Sequence, residues 1–289
     1  MIIQLNHPGK QKPYKLGNGY RYIGNKLIRE WNNDNGHYRK FIKSYGYYID
    51  GLDDSNTRSS DLLFWGEWEG NSFFYPLSNN NQKIFPNGIH IPFHSTIIRG
   101  IQNTDPYIFG DDFKYCICKQ RGCLLNLGRD DLIIFGTTMP TLNKFYIDTV
   151  YVVKDSVPSK YIQSTSGSTY SQVYKEETLD QLHEYLKAPA RPSNNRVYHS
   201  KTWWDDSEYF SFVPCKDVSY NGGFERFYID LNHTVIKFSL ITQGVSYIKH
   251  SLSPKQFWIE IVKEAISQGF KLGIRFEEPK TLNQYQTLP

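Results

Sequence analysis

Two indole rings and two carboxylates fall within five residues of this chain, in the run Trp65-Gly66-Glu67-Trp68-Glu69. Trp buries a large apolar area whereas Glu resists burial, so this combination is typical of a surface that binds something. On a strand, Glu67 and Glu69 would share one face about 7 Å apart, a separation that permits joint acid–base or metal chemistry. The alternative is an exposed strand face whose carboxylates pair with the basic residues that precede it.

Lys10, Arg39 and Lys40 are the candidate phosphate contacts. The first fifty residues hold nine Lys and Arg against three Asp and Glu, together with nine aromatic side chains. Cations mixed with aromatic faces suit phosphate contacts combined with base stacking, and Arg offers phosphate a planar fork. We therefore expect Trp65 or Trp68 to stack on a base, with a solvated basic edge on an aromatic core as the alternative.

Two histidines are candidates for a general acid. His7 and Lys10 lie at the mouth of the turn Asn6-His7-Pro8-Gly9-Lys10, where they could act as an acid–base and phosphate-contacting pair, although ordinary turn chemistry is the favoured interpretation. His94 follows Ile89-His90-Ile91-Pro92-Phe93. The proline disfavours a helical metal pair with His90, but in extended chain the two histidines can share one side.

Asn103 and Asp105 belong to the polar turn Gln102-Asn103-Thr104-Asp105-Pro106. Asn and Asp commonly bond nearby backbone in such turns. An amide-rich turn can also read the edge of a base, which makes both residues candidate ligand contacts.

The four cysteines do not suggest a disulfide scaffold, and the spacing of Cys116, Cys118 and Cys123 is a poor match to structural zinc sites. We therefore expect buried structural thiols. No signal segment opens the sequence, and no apolar run approaches the roughly 18 residues that a bilayer requires. These features predict a reduced, cytoplasmic protein without a membrane partner.

Strands hold most of these candidate residues in the predicted secondary structure. Strand-like segments at residues 45–48 and 61–65 predict one hairpin, and those at 132–135 and 145–153 predict a second. Ser253 and Pro254 begin the clearest helix, which Gly269 ends. The prediction is one elaborated α+β domain over residues 1–289, mostly antiparallel β, barrel-like or a strongly twisted sheet, with few flanking helices. Residues 155–200 are expected to form a flexible insertion with one short helix.

Several of these motifs together resemble a family of uncharacterised bacterial and phage proteins associated with the nucleotide-modification-associated domains. They are Phe-Trp-Gly-Glu-Trp-Glu at 64–69, Asn-Thr-Asp-Pro at 103–106 before Phe109-Gly110, Leu-Ile-Ile-Phe-Gly at 132–136, Asp-Thr-Val-Tyr-Val-Val at 148–153 and Phe-Ser-Phe-Val-Pro at 210–214. The hairpin at 124–153 is also similar to the core hairpin of PUA, ASCH and EVE barrels, which bind RNA or modified bases beside the barrel. The resemblance carries over no catalytic residues.

The sequence therefore predicts a protein that binds nucleic acid or nucleotides, including modified bases, in a bacterial or phage defence or DNA-modification system. One alternative is an enzyme acting on nucleotides, with Glu67 or Glu69 as general base or metal ligand and His7 or His94 as acid. Another is a protein-interaction module with an aromatic docking surface. P-loop and nucleophile-elbow motifs are absent, and the sequence indicates no particular cofactor.

Overall fold

The computed structural model of the chain describes residues 1–7, 19–29, 39–77, 86–95, 104–116, 122–158, 170–180, 195–218 and 226–286. Its strands are β1 (Ile2–Asn6), β2 (Tyr20–Ile23), β3 (Lys26–Arg29), β4 (Lys40–Ile49), β5 (Arg58–Gly66), β6 (Ser72–Pro76), β7 (Gly88–Pro92), β8 (Lys114–Tyr115), β9 (Leu132–Met139), β10 (Lys144–Pro158), β11 (Arg196–Ser200), β12 (Val213–Asp217), β13 (Tyr228–Asp230), β14 (Gly244–Tyr247) and β15 (Lys271–Phe276). The helices are α1 (Gln172–Tyr174), which continues as a π-helical turn (Lys175–Leu179), α2 (Pro254–Ser267) and α3 (Leu282–Gln286), with 3-10 turns at Gly122–Leu125 and Pro140–Leu142.

The strands form two sheets, and most of their pairings are antiparallel. The first sheet has the order β14-β1-β9-β10-β11-β8, with β13 also paired to β10. The second has the order β15-β12-β5-β4-β7-β6-β3-β2, and a further pairing of β15 with β4 closes β15, β12, β5 and β4 into a four-stranded ring. Only β1–β9 and β4–β7 pair in parallel among the described strands. The predicted α+β class, with mostly antiparallel β structure and few helices, is confirmed.

Both predicted hairpins are present. β4 and β5 pair from Lys40 opposite Gly66 to Tyr48 opposite Arg58. β9 and β10 pair across the turn at Pro140–Leu142, where Asn143 adopts a left-handed conformation at φ 55°. Such a conformation is tolerated by Asn better than by most residues. Each pair is antiparallel and close in sequence, which is why alternation and turn signals sufficed to find them.

The centre of the first sheet, at β9, is buried on both faces. Along β9, Ile133 and Phe135 pack into a core shared with strands of the second sheet, whereas Leu132 and Ile134 pack into a second core that contains α2. Successive side chains of a strand point to opposite faces, so an uninterrupted apolar run is what a doubly covered strand requires. The strand predicted at residues 132–135 is confirmed.

Helix α2 begins and ends as its sequence predicts. The Ser253 hydroxyl accepts a hydrogen bond from the Gln256 backbone amide and the Gln256 side chain bonds back, which forms a capping box. The buried stripe is Phe257, Trp258, Ile261, Val262 and Ala265. Gly269 follows with φ 72°, a conformation that favours glycine.

The alternation in residues 210–215 predicts an edge strand that ends at Pro214, and residues 224–231 with 234–241 predict a further hairpin, but the structure contradicts both. The segment around Val213–Cys215 is not an edge strand, because β12 pairs with β15 on one side and β5 on the other. Residues 232–243 form no strand; the only strand of that predicted hairpin is β13, which pairs with β10. Both errors concern partners distant in sequence, which alternation alone cannot specify.

The interval 155–200 contributes core structure at both ends. β10 continues to Pro158, and β11 joins it in the first sheet. The helical residues described there are α1 and its π-helical turn, in which Leu179 is buried, and the predicted helix with Leu182 and Leu186 lies mostly outside the described residues. Residues 159–169 and 181–194 lie outside the described ranges, so flexibility there stays a prediction. Across the described ranges, no helix is both long and apolar enough for a membrane span.

Candidate functional site

The cations and carboxylates identified in the sequence do meet. Because Lys40 pairs with Gly66 at the end of the β4–β5 hairpin, the residues that flank this pair, Arg39 and Glu67, are neighbours. Arg39 Nη1 donates to Glu67 Oε2 at 2.6 Å, and only 2% and 1% of these side chains are exposed. The carboxylate thus pairs with the basic segment, as the alternative interpretation expected, although in the interior.

Asp148 and Arg226 extend this pair into a buried charge cluster, defined as Glu67, Arg39, Asp148 and Arg226. Arg39 Nε lies 2.7 Å from Asp148 Oδ2, and Arg226 donates from Nε and Nη2 to the two Asp148 oxygens at 2.7 and 2.6 Å. Each side chain is less than 5% exposed. Burial lowers the pKa of Arg226, and the Asp148 carboxylate opposes that shift. Cations and anions therefore alternate through the interior.

The neighbouring aromatic residues are also interior. Trp68 is completely buried, and its indole nitrogen donates to the Asn71 carbonyl at 2.8 Å. Trp65 is 7% exposed, with the Arg226 guanidinium 5.6 Å from its ring centre. The cavity lined by Trp65 and Arg226 measures about 10 Å³, which is room for about one water molecule. Base stacking on Trp65 or Trp68 would require this region to open.

Lys40 lies beside the cluster and is likewise buried, at 2% exposure. Its ammonium donates to the Trp68 carbonyl and lies 3.9 Å from the Glu69 carboxylate. Burial, reinforced by the positive charge of Arg29, lowers the pKa of Lys40 to about 7. Arg39 and Lys40 thus face carboxylates and backbone in this conformation, and their phosphate contact stays a prediction.

His7 and Asp105 also lie in the interior. The His7 amide donates to the Gly136 carbonyl at 2.9 Å, and the His7 carbonyl accepts from the Thr137 hydroxyl at 3.1 Å. Asp105 accepts from the Cys116 amide at 2.9 Å, a longer-range contact than the local turn bond expected. Lys10 and Asn103 are outside the described residues. The described part of the chain contains no group of three or more His, Cys, Asp or Glu side chains suited to hold a metal ion.

His94 is held between two carboxylates. Its Nδ1 lies 2.9 Å from Glu177 Oε1 and its Nε2 lies 2.8 Å from Glu176 Oε2. The hydrogen bond to Glu177 is the main reason that the pKa of His94 is raised. Burial raises the pKa of Glu177 as well. Both imidazole nitrogens are therefore engaged within the protein.

An open cleft of about 710 Å³ lies elsewhere on the molecule. It is formed where β8, β10 and β11 of the first sheet meet β4 and β15 of the second, and residues just before α1 complete it. The lining residues are Tyr47, Gly110, Asp111, Asp112, Lys114, Lys154, Asp155, Val157, Tyr170, Ser171, His199, Arg275, Phe276, Glu277 and Glu278. Its volume falls within the range of small-molecule sites.

A chain of hydrogen bonds runs along the wall of this cleft. The Tyr170 hydroxyl lies 2.9 Å from His199 Nε2, and His199 Nδ1 lies 2.7 Å from Asp112 Oδ2. Lys114 Nζ donates to the other Asp112 oxygen at 2.9 Å. The pairing of His199 with Lys114 between β11 and β8 fixes these groups on rigid backbone. The arrangement is a phenol, an imidazole and a carboxylate in series.

The electrostatics assign a role to each end of this chain. Burial alone would raise the pKa of Asp112, but the hydrogen bond from His199 and the charge of Lys114 lower it overall. Burial and the nearby Asp112 charge raise the pKa of Tyr170. Asp112 is therefore a carboxylate that accepts the Nδ1 proton, and the Tyr170 hydroxyl stays protonated.

No pattern in the sequence indicated this chain of residues. Tyr170 and His199 are 29 residues apart, and His199 and Asp112 are 87 residues apart. Two of the three lie in the interval that was predicted to be a flexible insertion. The only local signal was the acidic pair Asp111-Asp112 after Gly110, which is also ordinary turn composition.

Comparisons with known proteins assign no function to this chain. No protein-family model, curated protein or solved structure matches the chain.

Proposed function

We propose that the protein is an enzyme that uses Tyr170, His199 and Asp112 for general acid–base catalysis on a small polar substrate. The observation that carries this proposal is the hydrogen-bonded series from phenol to imidazole to carboxylate on the wall of the open cleft. An imidazole oriented by a carboxylate is suited to proton transfer near neutral pH. This develops the enzymatic alternative of the sequence analysis with different residues.

The roles follow from the hydrogen bonds. Asp112 holds the Nδ1 proton of His199, which leaves Nε2 as the acceptor of the Tyr170 hydroxyl proton. Tyr170 can take a proton from an acidic substrate atom while passing its own hydroxyl proton to His199 Nε2, and the reverse transfer returns a proton to a substrate atom that gains negative charge. Either transfer moves one proton along the series and consumes no other reactant.

The charge of the cleft restricts the substrate. Five carboxylates line it against three cations, Lys114, Lys154 and Arg275. Each cation is within 3 Å of an Asp carboxylate: Asp112, Asp205 and Asp111, respectively. Such a surface disfavours a polyphosphate and accepts a neutral or cationic molecule. Within the nucleotide class indicated by the sequence, a nucleobase or nucleoside therefore fits better than a triphosphate or a nucleic-acid backbone.

Nucleic-acid binding and protein docking stay predictions. A role in a defence or DNA-modification system is part of the same prediction and depends on the resemblance of the motifs. The acid–base proposal does not need either activity.

A broad substrate screen tests the proposed catalysis. The purified full chain is incubated with a polar metabolite extract supplemented with nucleosides and free bases, and species consumed or formed are measured by mass spectrometry. The wild type is expected to convert at least one species, and His199→Gln is expected to lose that conversion.

A matched control is available in His233. It also pairs with a carboxylate, at 3.1 Å from Glu264, and its side chain is 21% exposed compared with 20% for His199. His233→Gln should retain the conversion because this pair lies outside the cleft lining. Full conversion by His199→Gln, or no conversion by the wild type, would contradict the proposal.

A further inference from the structure

Tyr170 reaches the cleft from a short segment that is held at several points. The segment is residues 170–180, which comprises Tyr170, Ser171, α1, the π-helical turn and Asp180. Ser171 caps α1 by accepting from the Tyr174 amide, and its hydroxyl also donates to Glu278 on the cleft wall. The Lys114 ammonium lies 5.3 Å from the centre of the Tyr174 ring. The position of Tyr170 therefore depends on how this segment docks.

The far end of the segment is held by His94. Glu176 and Glu177 are consecutive residues, yet both reach the same imidazole, at 2.8 and 2.9 Å. Both belong to the π-helical turn, a wider turn that is rare in proteins and frequent at functional sites. The exposed fractions are 5% for the His94 side chain and 1% for Glu177, so water screens this contact little.

We propose that His94 is a positioning residue: clamped between Glu176 and Glu177, it docks segment 170–180 and thereby holds Tyr170 in the cleft, most firmly when the imidazole is protonated. The consequence for catalysis rests on the proposed function, whereas the docking itself does not. His94 was a candidate acid in the sequence, and here it acts through Tyr170 without touching a substrate.

The direction of the pH dependence follows from the groups around His94. Among the described residues, the charged side chains that face the imidazole are Glu176 and Glu177, and the Lys280 carbonyl accepts from the His94 backbone amide. The pKa values of His94 and Glu177 are both raised, so the docked segment binds more protons than the released one. Docking is therefore strongest below the ordinary His pKa and weakens as the pH rises through the raised value. Burial raises the pKa of the nearby Tyr107 phenol, so this group stays protonated over the same pH range.

Amide hydrogen exchange of residues 174–180 in the full chain measures this docking directly. After correction for the intrinsic rate, the wild type should lose protection between about pH 6 and about pH 8.5, by about tenfold for each unit by which docking raises the His94 pKa. His94→Gln should show low protection at both pH values and no transition. His233→Gln should reproduce the wild-type profile.

A milder variant protects the test against misfolding. Glu176 is 20% exposed, so Glu176→Gln should fold and should show a smaller transition than the wild type. Protection that is independent of pH in the wild type would overturn the proposal. So would an unchanged transition in His94→Gln. If His94→Gln does not fold, an unchanged transition in Glu176→Gln would overturn it instead. A segment that responds to pH in a protein that converts no substrate would contradict the proposed function alone.

Discussion

The buried charge cluster and the open cleft are built from similar residue types with opposite access to solvent. In the cluster, Arg39 and Arg226 share Asp148, and every member is less than 5% exposed. In the cleft, Asp112 holds His199 beside a volume of about 710 Å³. Alternating charges that leave no space for a ligand hold secondary-structure elements together. Similar charged groups that line an open cleft can instead act on a substrate. Solvent access therefore separates the structural pairs from the candidate catalytic ones.

The largest effect is expected in the cluster. Asp148→Asn removes the carboxylate shared by two buried guanidinium groups and should reduce the free energy of unfolding by about 3–5 kcal/mol, measured by chemical denaturation. The matched control is Asp61→Asn, since Asp61 pairs with Lys43 at 2.8 Å on the surface, where such a pair contributes about 0–1 kcal/mol. Equal losses in the two variants would remove the distinction between the regions.

In the cleft, Asp112→Asn should affect turnover more than stability. The amide no longer stabilises the protonated imidazole, so we expect kcat for the converted metabolite to fall about 100-fold or more. Asp112 is 23% exposed, and its loss should change the unfolding free energy by less than about 2 kcal/mol. A variant that turns over at the wild-type rate would show that His199 needs no carboxylate partner.

A smaller effect concerns the pH dependence of stability beside the cluster. The pKa of Lys40 falls to about 7 in the folded protein, so above pH 7 the unfolded chain holds more protons than the folded one. This group therefore makes the protein more stable as the pH rises from about 7 towards the ordinary Lys value, by at most about 1.4 kcal/mol per pH unit. Denaturation at about pH 7 and about pH 9 should show this gain for the wild type relative to Lys40→Met. If the unfolding free energies of the wild type and Lys40→Met change equally with pH, Lys40 stays charged in the folded protein.

The sequence was sufficient for features that are encoded locally. Ser253, Pro254 and the spacing from Phe257 to Ala265 specify α2, since capping and a helical repeat need no distant partner. The meeting of Arg39 with Glu67 likewise follows from the register of one hairpin. Alternation could not show that Asp148 on β10 and Arg226 cover this pair. Because they do, the residues expected to form a binding surface are packed in the interior.

The candidate site itself could not be predicted from local patterns. His199 meets Asp112 because β11 pairs with β8, and Tyr170 meets His199 because segment 170–180 docks beside both. Each contact joins residues separated by 29 or 87 positions, and each residue type is ordinary in its own stretch of sequence. Long-range pairing of this kind is set by the tertiary fold, which residue spacing does not encode.

The most direct test compares Glu67→Gln with His199→Gln, using turnover per folded molecule and the free energy of unfolding as paired readouts. Glu67 is 1% exposed and part of the cluster, so Glu67→Gln should lower stability and keep turnover. His199→Gln should keep stability and lose turnover. Loss of turnover in a stably folded Glu67→Gln, with His199→Gln fully active, would place the chemistry in the buried charge cluster and contradict the account.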